Sequence, residues 1–137
     1  MNKISVKKGY NLNTPSWESI FENLSLAVET NQEIKHNGGD FFVSHISHHI
    51  PEVKSVLEDL QLNYAHSYIN LTSVGSTFGR HKDIMDVWHW QVKGKAEWSF
   101  DDKTIVLDEG DLIEVPKGIY HSVKPLTPRV GISMAKE

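Results

Sequence analysis

The sequence contains no cysteine. This excludes disulfide bonds, thiolate metal ligands and cysteine nucleophiles, so any metal site must use imidazole or oxygen ligands. Runs of lysine and arginine are also missing, and the formal net charge is -4. Because a protein that binds a phosphate backbone needs a basic surface, we expect no nucleic-acid partner.

The sequence also lacks an apolar run that could form a signal-peptide core or span a bilayer. We therefore expect a cytoplasmic protein without membrane association. Its 137 residues are 39% hydrophobic and 23% charged, which is ordinary for a globular domain. No internal repeat or low-complexity segment divides the chain, so residues 1–137 are expected to form one domain.

The N-terminal part, residues 1–63, has patterns typical of helices. Thr14 and Pro15 match an N-cap and a first helical residue, and apolar residues then recur at helical spacing from Trp17 to Val28. A second helix is predicted over Glu52–Leu62. The segments between these helices indicate a turn at 37–40 and a short strand at 41–43.

From residue 64 onward the sequence indicates short strands separated by turn residues, including a turn at 75–76. The predicted strands cover 64–74, 86–92, 96–100, 104–107, 112–115 and 130–135. Short strands at close spacing are typical of an antiparallel barrel or sandwich. We expect a mainly β protein whose barrel core spans 64–137, with about two helices packed on its outside.

Two imidazoles and one carboxylate point to a metal site: His81, Asp83 and His121. Residues i and i+2 of a β-strand face the same side, so His81 and Asp83 are predicted to bind one ion from one strand. His121 would complete the set from a distant strand. Two histidines and one carboxylate on one face of an octahedral ion are typical of non-haem Fe(II) sites, which keep three positions open.

Two motifs carry a resemblance to a known superfamily. Gly110-x5-Pro116-x-Gly118-x2-His121 resembles the second cupin motif, although Pro125 stands where that motif usually ends in asparagine. The segment His81–Trp98 resembles the iron-binding segment of JmjC-type 2-oxoglutarate oxygenases, nearest to the ribosomal-oxygenase and asparagine-hydroxylase branch. The likeness covers roughly residues 77–134.

The resemblance implies a double-stranded β-helix, also called a jelly-roll barrel, with Fe(II) held by His81, Asp83 and His121. It further implies 2-oxoglutarate as cosubstrate and hydroxylation of a C–H bond by O2. The substrate would be a small molecule or a peptide side chain, and a homodimer is possible because cupins commonly dimerise.

One position departs from the resemblance. The branch grips the far carboxylate of 2-oxoglutarate with a lysine or arginine fifteen residues after the first ligand histidine, and this sequence has Ala96 there. A bulge near Gly94 would turn the neighbouring Lys95 inward. Arg129 or Lys124 from another strand are the alternatives.

Four further residues are candidates for contacts with cosubstrate or substrate. Counting by twos from His81 predicts that His89 and Gln91 point into the barrel, as polar groups beside the metal or as ordinary core residues. Tyr68 and Asn70 share one face of the strand before the triad. The resemblance places cosubstrate contacts on that strand, but ordinary strand composition explains the pair equally well.

The remaining aromatic and imidazole groups favour structural roles. Trp88 and Trp90 are predicted to pack against the helices, and Trp98 is a pocket candidate. The cluster 45–49 contains three histidines and is interpreted as an exposed loop in which they lack partners.

Two other functions stay open beside the oxygenase. Ala96 favours a metal-binding cupin with different chemistry, such as an isomerase or a lyase. A barrel that binds a ligand without catalysis is the other alternative.

Overall fold

The computed structural model describes residues 2–36, 40–74 and 77–137, so all but the last residue of the turn predicted at 37–40, and the whole turn predicted at 75–76, lie outside the described residues. Within these ranges there are two α-helices, α1 (Trp17–Glu29) and α2 (Pro51–Leu60), and one 3-10 turn at Ser47–His49. The strands are β1 (Ser5–Lys7), β2 (Glu33–His36), β3 (Phe41–Ser44), β4 (Tyr64–Asn70), β5 (Val87–Lys93), β6 (Ala96–Ser99), β7 (Thr104–Leu107), β8 (Leu112–Val115), β9 (Ser122–Pro125) and β10 (Arg129–Ala135).

All strand pairings are antiparallel and form two sheets. The larger sheet has the order β1-β8-β5-β10-β4-β3-β2, and the smaller one has the order β7-β6-β9. The N-terminal part therefore supplies strands as well as helices, because β1 pairs with β8 and β3 pairs with β4. The sheets thus extend beyond the predicted barrel part at 64–137, and β1, β2 and β9 were not predicted.

Alternating side chains divide the larger sheet between two hydrophobic cores. On β8, Leu112 packs in a core with both helices, while the next residue, Ile113, packs in a core with β6 and β7. Trp90 is fully buried on the helix side, and Trp88 packs against the same core, as predicted. The helices therefore cover the outer face of the larger sheet, and the smaller sheet covers its inner face.

The first helix begins later than the sequence indicated. Ser16, rather than Thr14, is the N-cap, and its Oγ accepts a hydrogen bond of 3.1 Å from the Ser19 amide. Ser16 takes this role because its hydroxyl can satisfy an amide of the first turn that has no helical partner. Neither α1 nor α2 is long and apolar enough to cross a membrane; the cytoplasmic location stays a prediction.

Candidate metal centre

Two histidines face each other across a backbone pairing. His81 and His121 form an isolated β-bridge, in which the amide of each donates to the carbonyl of the other at 2.9 and 2.8 Å. His81 Nδ1 lies 2.8 Å from the Gly79 carbonyl, and His121 Nδ1 lies 2.9 Å from the Ile119 carbonyl. Because a carbonyl only accepts, each Nδ1 carries the proton and each Nε2 keeps its lone pair for a ligand.

Asp83 completes the cluster. One ligand atom from each of His81, Asp83 and His121 lies within 4.8 Å of the others, and His121 Nε2 lies 3.4 Å from Asp83 Oδ2. The Asp83 carbonyl accepts a 2.9 Å hydrogen bond from the Gly118 amide, which ties the Asp83 loop to the loop before His121. Burial lowers the pKa of His121, so its ring is neutral and able to coordinate at neutral pH.

The prediction that His81 and Asp83 lie on one strand is wrong. His81 lies in the isolated bridge, Asp83 lies in the irregular segment that follows it, and β5 begins only at Val87. The two ligands share a side because the His81–His121 bridge and the Gly118 contact hold both ends of a loop. A loop, rather than the alternation of a strand, therefore brings His81 and Asp83 to the same side, and the predicted cluster still forms.

The donor set fits a first-row transition metal such as Fe(II). Two imidazole nitrogens and one carboxylate oxygen suit iron, whereas a magnesium or calcium site would use oxygen ligands alone. The three residues line one cavity. Its lining comprises Phe41, Tyr68, Thr77, Phe78, His81, Asp83, Val87, His89, Trp98, His121, Val123, Arg129 and Ser133.

Arg129 brings a cation into this cavity. The residue is 2% exposed, and its Nε donates a 2.8 Å hydrogen bond to Asn70 Oδ1. Within the described residues its Nη1 has no hydrogen-bond partner. Burial lowers the pKa of Arg129 to about 10, which leaves the guanidinium charged at neutral pH. A buried cation without a counter-charge is costly, so the cavity is suited to an anionic ligand.

Lys95 does not reach the cavity. Its side chain is 59% exposed, and its Nζ lies 3.5 Å from Asp108 Oδ1 on the outside. The pairing of β5 with β10 does shift register between Val130 and Gly131, but Ala96 is fully buried and Lys95 is exposed, so this irregularity does not turn Lys95 inward. This placement contradicts the predicted role of Lys95, and Lys124 is also exposed.

His89 and Tyr68 line the cavity, whereas Gln91 does not. His89 is fully buried, and burial together with the charge of Arg129 lowers its pKa well below the usual value. Burial raises the pKa of Tyr68 to about 12, so its hydroxyl stays protonated. Gln91 is buried too, but its Nε2 donates to the Lys93 carbonyl at 2.9 Å. Gln91 thus serves the adjacent hairpin, which is the ordinary core role.

Several cavity residues escaped the sequence analysis. Phe41 and Thr77 come from segments without a motif, and Ser133 lies on β10 two residues from Gly131. Trp98 is placed in the cavity, as its pattern indicated. Only the alternation of β10, which puts Arg129 and Ser133 on one face, carried a signal for Ser133.

The histidines of 45–49 are not all without partners, which corrects the prediction for that loop. His45 Nδ1 lies 2.8 Å from His66 Nε2, and the two rings meet edge to face at 4.1 Å. His66 lines a second cavity next to the first. Tyr68, Asp83, Val87 and Ser133 line both cavities.

No protein-family model and no curated protein sequence matches this chain. Among solved structures, the ribosomal oxygenase YcfD from Escherichia coli in complex with cobalt and 2-oxoglutarate superposes with a TM-score of 0.79 at 17% identity, over 98% of this chain and 48% of that one. YcfD in complex with cobalt and succinic acid gives a TM-score of 0.80, with the same identity and coverage. The fold is a double-stranded β-helix of the cupin type.

This result confirms the predicted fold class, and at the level of fold it confirms the resemblance to the ribosomal-oxygenase branch. A cupin superfamily protein from Desulfitobacterium hafniense aligns over 53% of the chain, with a TM-score of 0.49 and 18% identity. The chain spans about half the length of the YcfD structures.

Proposed function

We propose that this chain is an Fe(II)-dependent dioxygenase that uses 2-oxoglutarate to hydroxylate a C–H bond of a small molecule or a peptide side chain. The observation that carries the proposal is one cavity with two kinds of group. His81, Asp83 and His121 face it as a metal-ligand set, and the guanidinium of Arg129, whose Nη1 has no hydrogen-bond partner in the described structure, faces it as an anion-binding group.

His81, Asp83 and His121 would hold the iron. When bound, Fe(II) supplies the activation of O2 that protein side chains cannot provide. The overall reaction consumes O2, 2-oxoglutarate and substrate C–H. One oxygen atom enters succinate, the other enters the new hydroxyl group, and CO2 leaves.

The protein's own residues would bind the cosubstrate and exclude water. Arg129, held by Asn70, offers a fixed charged donor for the far carboxylate of 2-oxoglutarate. Arg129 would thus replace the basic residue that the resemblance expects at position 96, where this chain has alanine. Phe41, Val123 and Trp98 line the same cavity with apolar surface, which strengthens charge interactions inside it.

The second cavity is the proposed place of the substrate. It adjoins the metal-ligand set at Asp83, and its lining includes Tyr64, His66 and Met85, with Ile84 91% exposed at its edge. A small molecule or a single side chain can enter such a groove from solvent. A homodimer remains part of the proposal, and neither nucleic acid nor membrane is proposed as a partner.

The test is an anaerobic titration with Fe(II) followed by 2-oxoglutarate, monitored by the visible charge-transfer band of the iron–keto-acid chelate. We expect the band in the wild type and its loss in His121→Ala. Incubation with O2 and candidate substrates should then give products heavier by one oxygen atom in mass spectrometry.

A second function is favoured by Ala96, which removes the cation that the resemblance expects. A metal-binding cupin with isomerase or lyase chemistry would bind Fe(II) or another divalent ion without forming the band. Metal binding without the band would therefore replace the oxygenase by this candidate. Failure to bind any divalent ion would leave a ligand-binding module.

A further inference from the structure

A row of aromatic rings on β4 lines the second cavity. Tyr64, His66 and Tyr68 alternate with buried residues along this strand, so their side chains share the inner face of the larger sheet. The ring centroids of Tyr64 and His66 are 4.4 Å apart, and those of His66 and Tyr68 are 6.5 Å apart. Because residues two apart on a strand advance by about 7 Å, the row extends about 13 Å along β4. It leads to the metal cavity, which Tyr68 also lines.

A second wall of this cavity comes from the segment that follows the metal ligand Asp83. Ile84, Met85 and Val87 line the cavity, and the side chain of Ile84 protrudes into solvent. A large apolar side chain in such a position gains free energy when a ligand covers it. The thioether of methionine makes favourable contacts with aromatic rings. Rings on one wall and aliphatic and thioether groups on another suit a flat, apolar group.

His66 is fixed and uncharged within the aromatic row. Its Nε2 lies 2.8 Å from His45 Nδ1, so one imidazole donates a hydrogen bond to the other, and this bond holds the orientation of the His66 ring. Burial, together with His45 and His48, lowers the pKa of His66 to about 4, so the ring is neutral at neutral pH. A ring that is already fixed loses little entropy when a ligand packs on it.

The lining of the second cavity offers little to a charged substrate. Among the described residues that line it, Asp83 alone carries a formal charge, and Asp83 belongs to the metal-ligand set, where a bound divalent ion would offset its charge. Moving a charged group out of water without a counter-charge is costly. An uncharged group therefore fits this cavity better than a cation or an anion.

We propose that the second cavity binds an uncharged aromatic group against the row formed by Tyr64 and His66, and that the substrate is an aromatic molecule or a peptide with an aromatic side chain. The inference rests on the proposed function, in which this cavity holds the substrate, and it adds the chemical class of that substrate. Tyr64 and His66 are substrate-binding residues in this assignment, since a bound ring would contact theirs.

The experiment measures binding by proton NMR with three probes: N-acetyl-L-phenylalaninamide, which is aromatic, N-acetyl-L-leucinamide, which is aliphatic, and N-acetyl-L-argininamide, which is cationic. Saturation transfer gives their affinities for the metal-free protein, and paramagnetic line broadening in the Co(II)-loaded protein shows which probe lies near the metal. The main variant is Tyr64→Leu, and Tyr64→Phe is the conservative one. The matched control is Phe21→Leu, which removes a ring from α1 outside both cavities.

We expect the wild type to bind the phenylalanine probe about 3–10-fold more tightly than the leucine probe, the worth of one aromatic contact. The arginine probe should bind no more tightly than the leucine probe. Phe21→Leu and Tyr64→Phe should keep the preference for the aromatic probe, whereas Tyr64→Leu should bring the two uncharged probes within about 2-fold of each other. Co(II) should broaden the ring protons of the phenylalanine probe.

Other results would overturn the inference. Equal affinity of the wild type for the phenylalanine and leucine probes would exclude an aromatic site, and tightest binding of the arginine probe would make it a cation site. Equal losses in Phe21→Leu and Tyr64→Leu, or binding without broadening by Co(II), would place the ring outside the second cavity. Loss of the preference in Tyr64→Phe would assign it to the hydroxyl group.

The proposed function fails by a separate measurement. A wild-type protein that prefers the aromatic probe, but forms no charge-transfer band with Fe(II) and 2-oxoglutarate, would keep the aromatic site and lose the oxygenase assignment. A protein that forms the band without preferring the aromatic probe would keep the oxygenase assignment and lose the substrate class.

Discussion

His81 and His121 exchange backbone hydrogen bonds of 2.9 and 2.8 Å, which hold two imidazoles side by side at a ring-centroid distance of 4.5 Å. The pairing uses main-chain atoms, so it does not depend on either side chain or on Asp83. The backbone pairing of the two segments therefore sets the positions of the two histidines. Variants of the ligand side chains should consequently lose metal and keep the fold.

Asp83→Ala is expected to weaken Co(II) binding by more than about 100-fold, which exceeds the usual effect of losing a group that only supports a ligand. Calorimetry under matched buffer conditions measures this. Asp101→Ala, which removes an exposed carboxylate paired with Arg80, should bind Co(II) as the wild type does. Unchanged affinity in Asp83→Ala would remove Asp83 from the ligand set.

Arg129→Gln should weaken 2-oxoglutarate binding to the Fe(II)-loaded protein by roughly 10–100-fold, because it removes a charge-assisted hydrogen bond of about 1.5–3 kcal/mol. Lys95→Gln removes an equal charge from the outside and should change binding by less than about 2-fold. The measurement is the 2-oxoglutarate dependence of the charge-transfer band. A larger loss of 2-oxoglutarate binding in Lys95→Gln than in Arg129→Gln would show that Lys95, and not Arg129, binds the cosubstrate.

His66 is expected to make stability depend on pH. Burial, together with His45 and His48, lowers the pKa of His66 to about 4, whereas an unfolded histidine titrates near 6.5. Between these values the unfolded chain binds a proton that the folded chain does not. The free energy of unfolding should therefore fall as pH decreases from 6.5 to 4.

Urea unfolding of the metal-free protein at pH 7.5 and 5.0 measures this effect. His66→Gln has no titratable group at the position, so its loss of stability between the two pH values should be smaller than that of the wild type. An equal loss in both proteins would show that His66 does not contribute. His48→Gln is a useful second variant because it removes one neighbouring charge.

Gly94 is expected to resist substitution more than a glycine of similar backbone conformation. Its φ is +67°, and a Cβ would lie 2.0 Å from the Pro128 carbonyl oxygen, while Gly9 at φ +63° has no heavy atom within 4 Å of such a Cβ. Gly9→Ala should cost about 1–2 kcal/mol from the left-handed conformation alone. Gly94→Ala should cost a further 1–3 kcal/mol or so from the clash, measured by urea unfolding.

Local patterns predicted much of the sheet. Strands β7 and β8 have the predicted bounds, and β5, β6 and β10 differ from prediction by one residue at one or both ends. These strands alternate inward and outward residues over short distances, so the signal lies within each segment. By contrast, β1 and β9 are short edge strands, with their residues intermediate or exposed except for Pro125. These two strands form because they pair with β8 and β6, and their own sequences contain no alternating pattern that would predict them.

The sequence alone could not decide whether Lys95 or Arg129 faces the cavity. Both are basic residues next to strand turns, and a bulge of one residue would have reversed the outcome at Lys95. The choice depends on the register in which β10 pairs with β4 and β5, which brings Arg129 opposite Asn70 and its side chain into the cavity. The His45–His66 contact likewise depends on how β4 lies beside the loop after β3.

The sequence by itself determined the kinds of group available: no thiolates, a His-x-Asp pair, a distant histidine after a Pro-x-Gly turn, and strands that alternate about a barrel. These features are residue types and local patterns, so they can be read from the sequence without a structure. Only the tertiary structure decided that a loop presents His81 and Asp83, that Arg129 is the cation inside, and that Gly131 makes room for His89 beside it. Each of these depends on which strands become neighbours and in what register, because contacts between distant segments are set by the packing of the whole barrel.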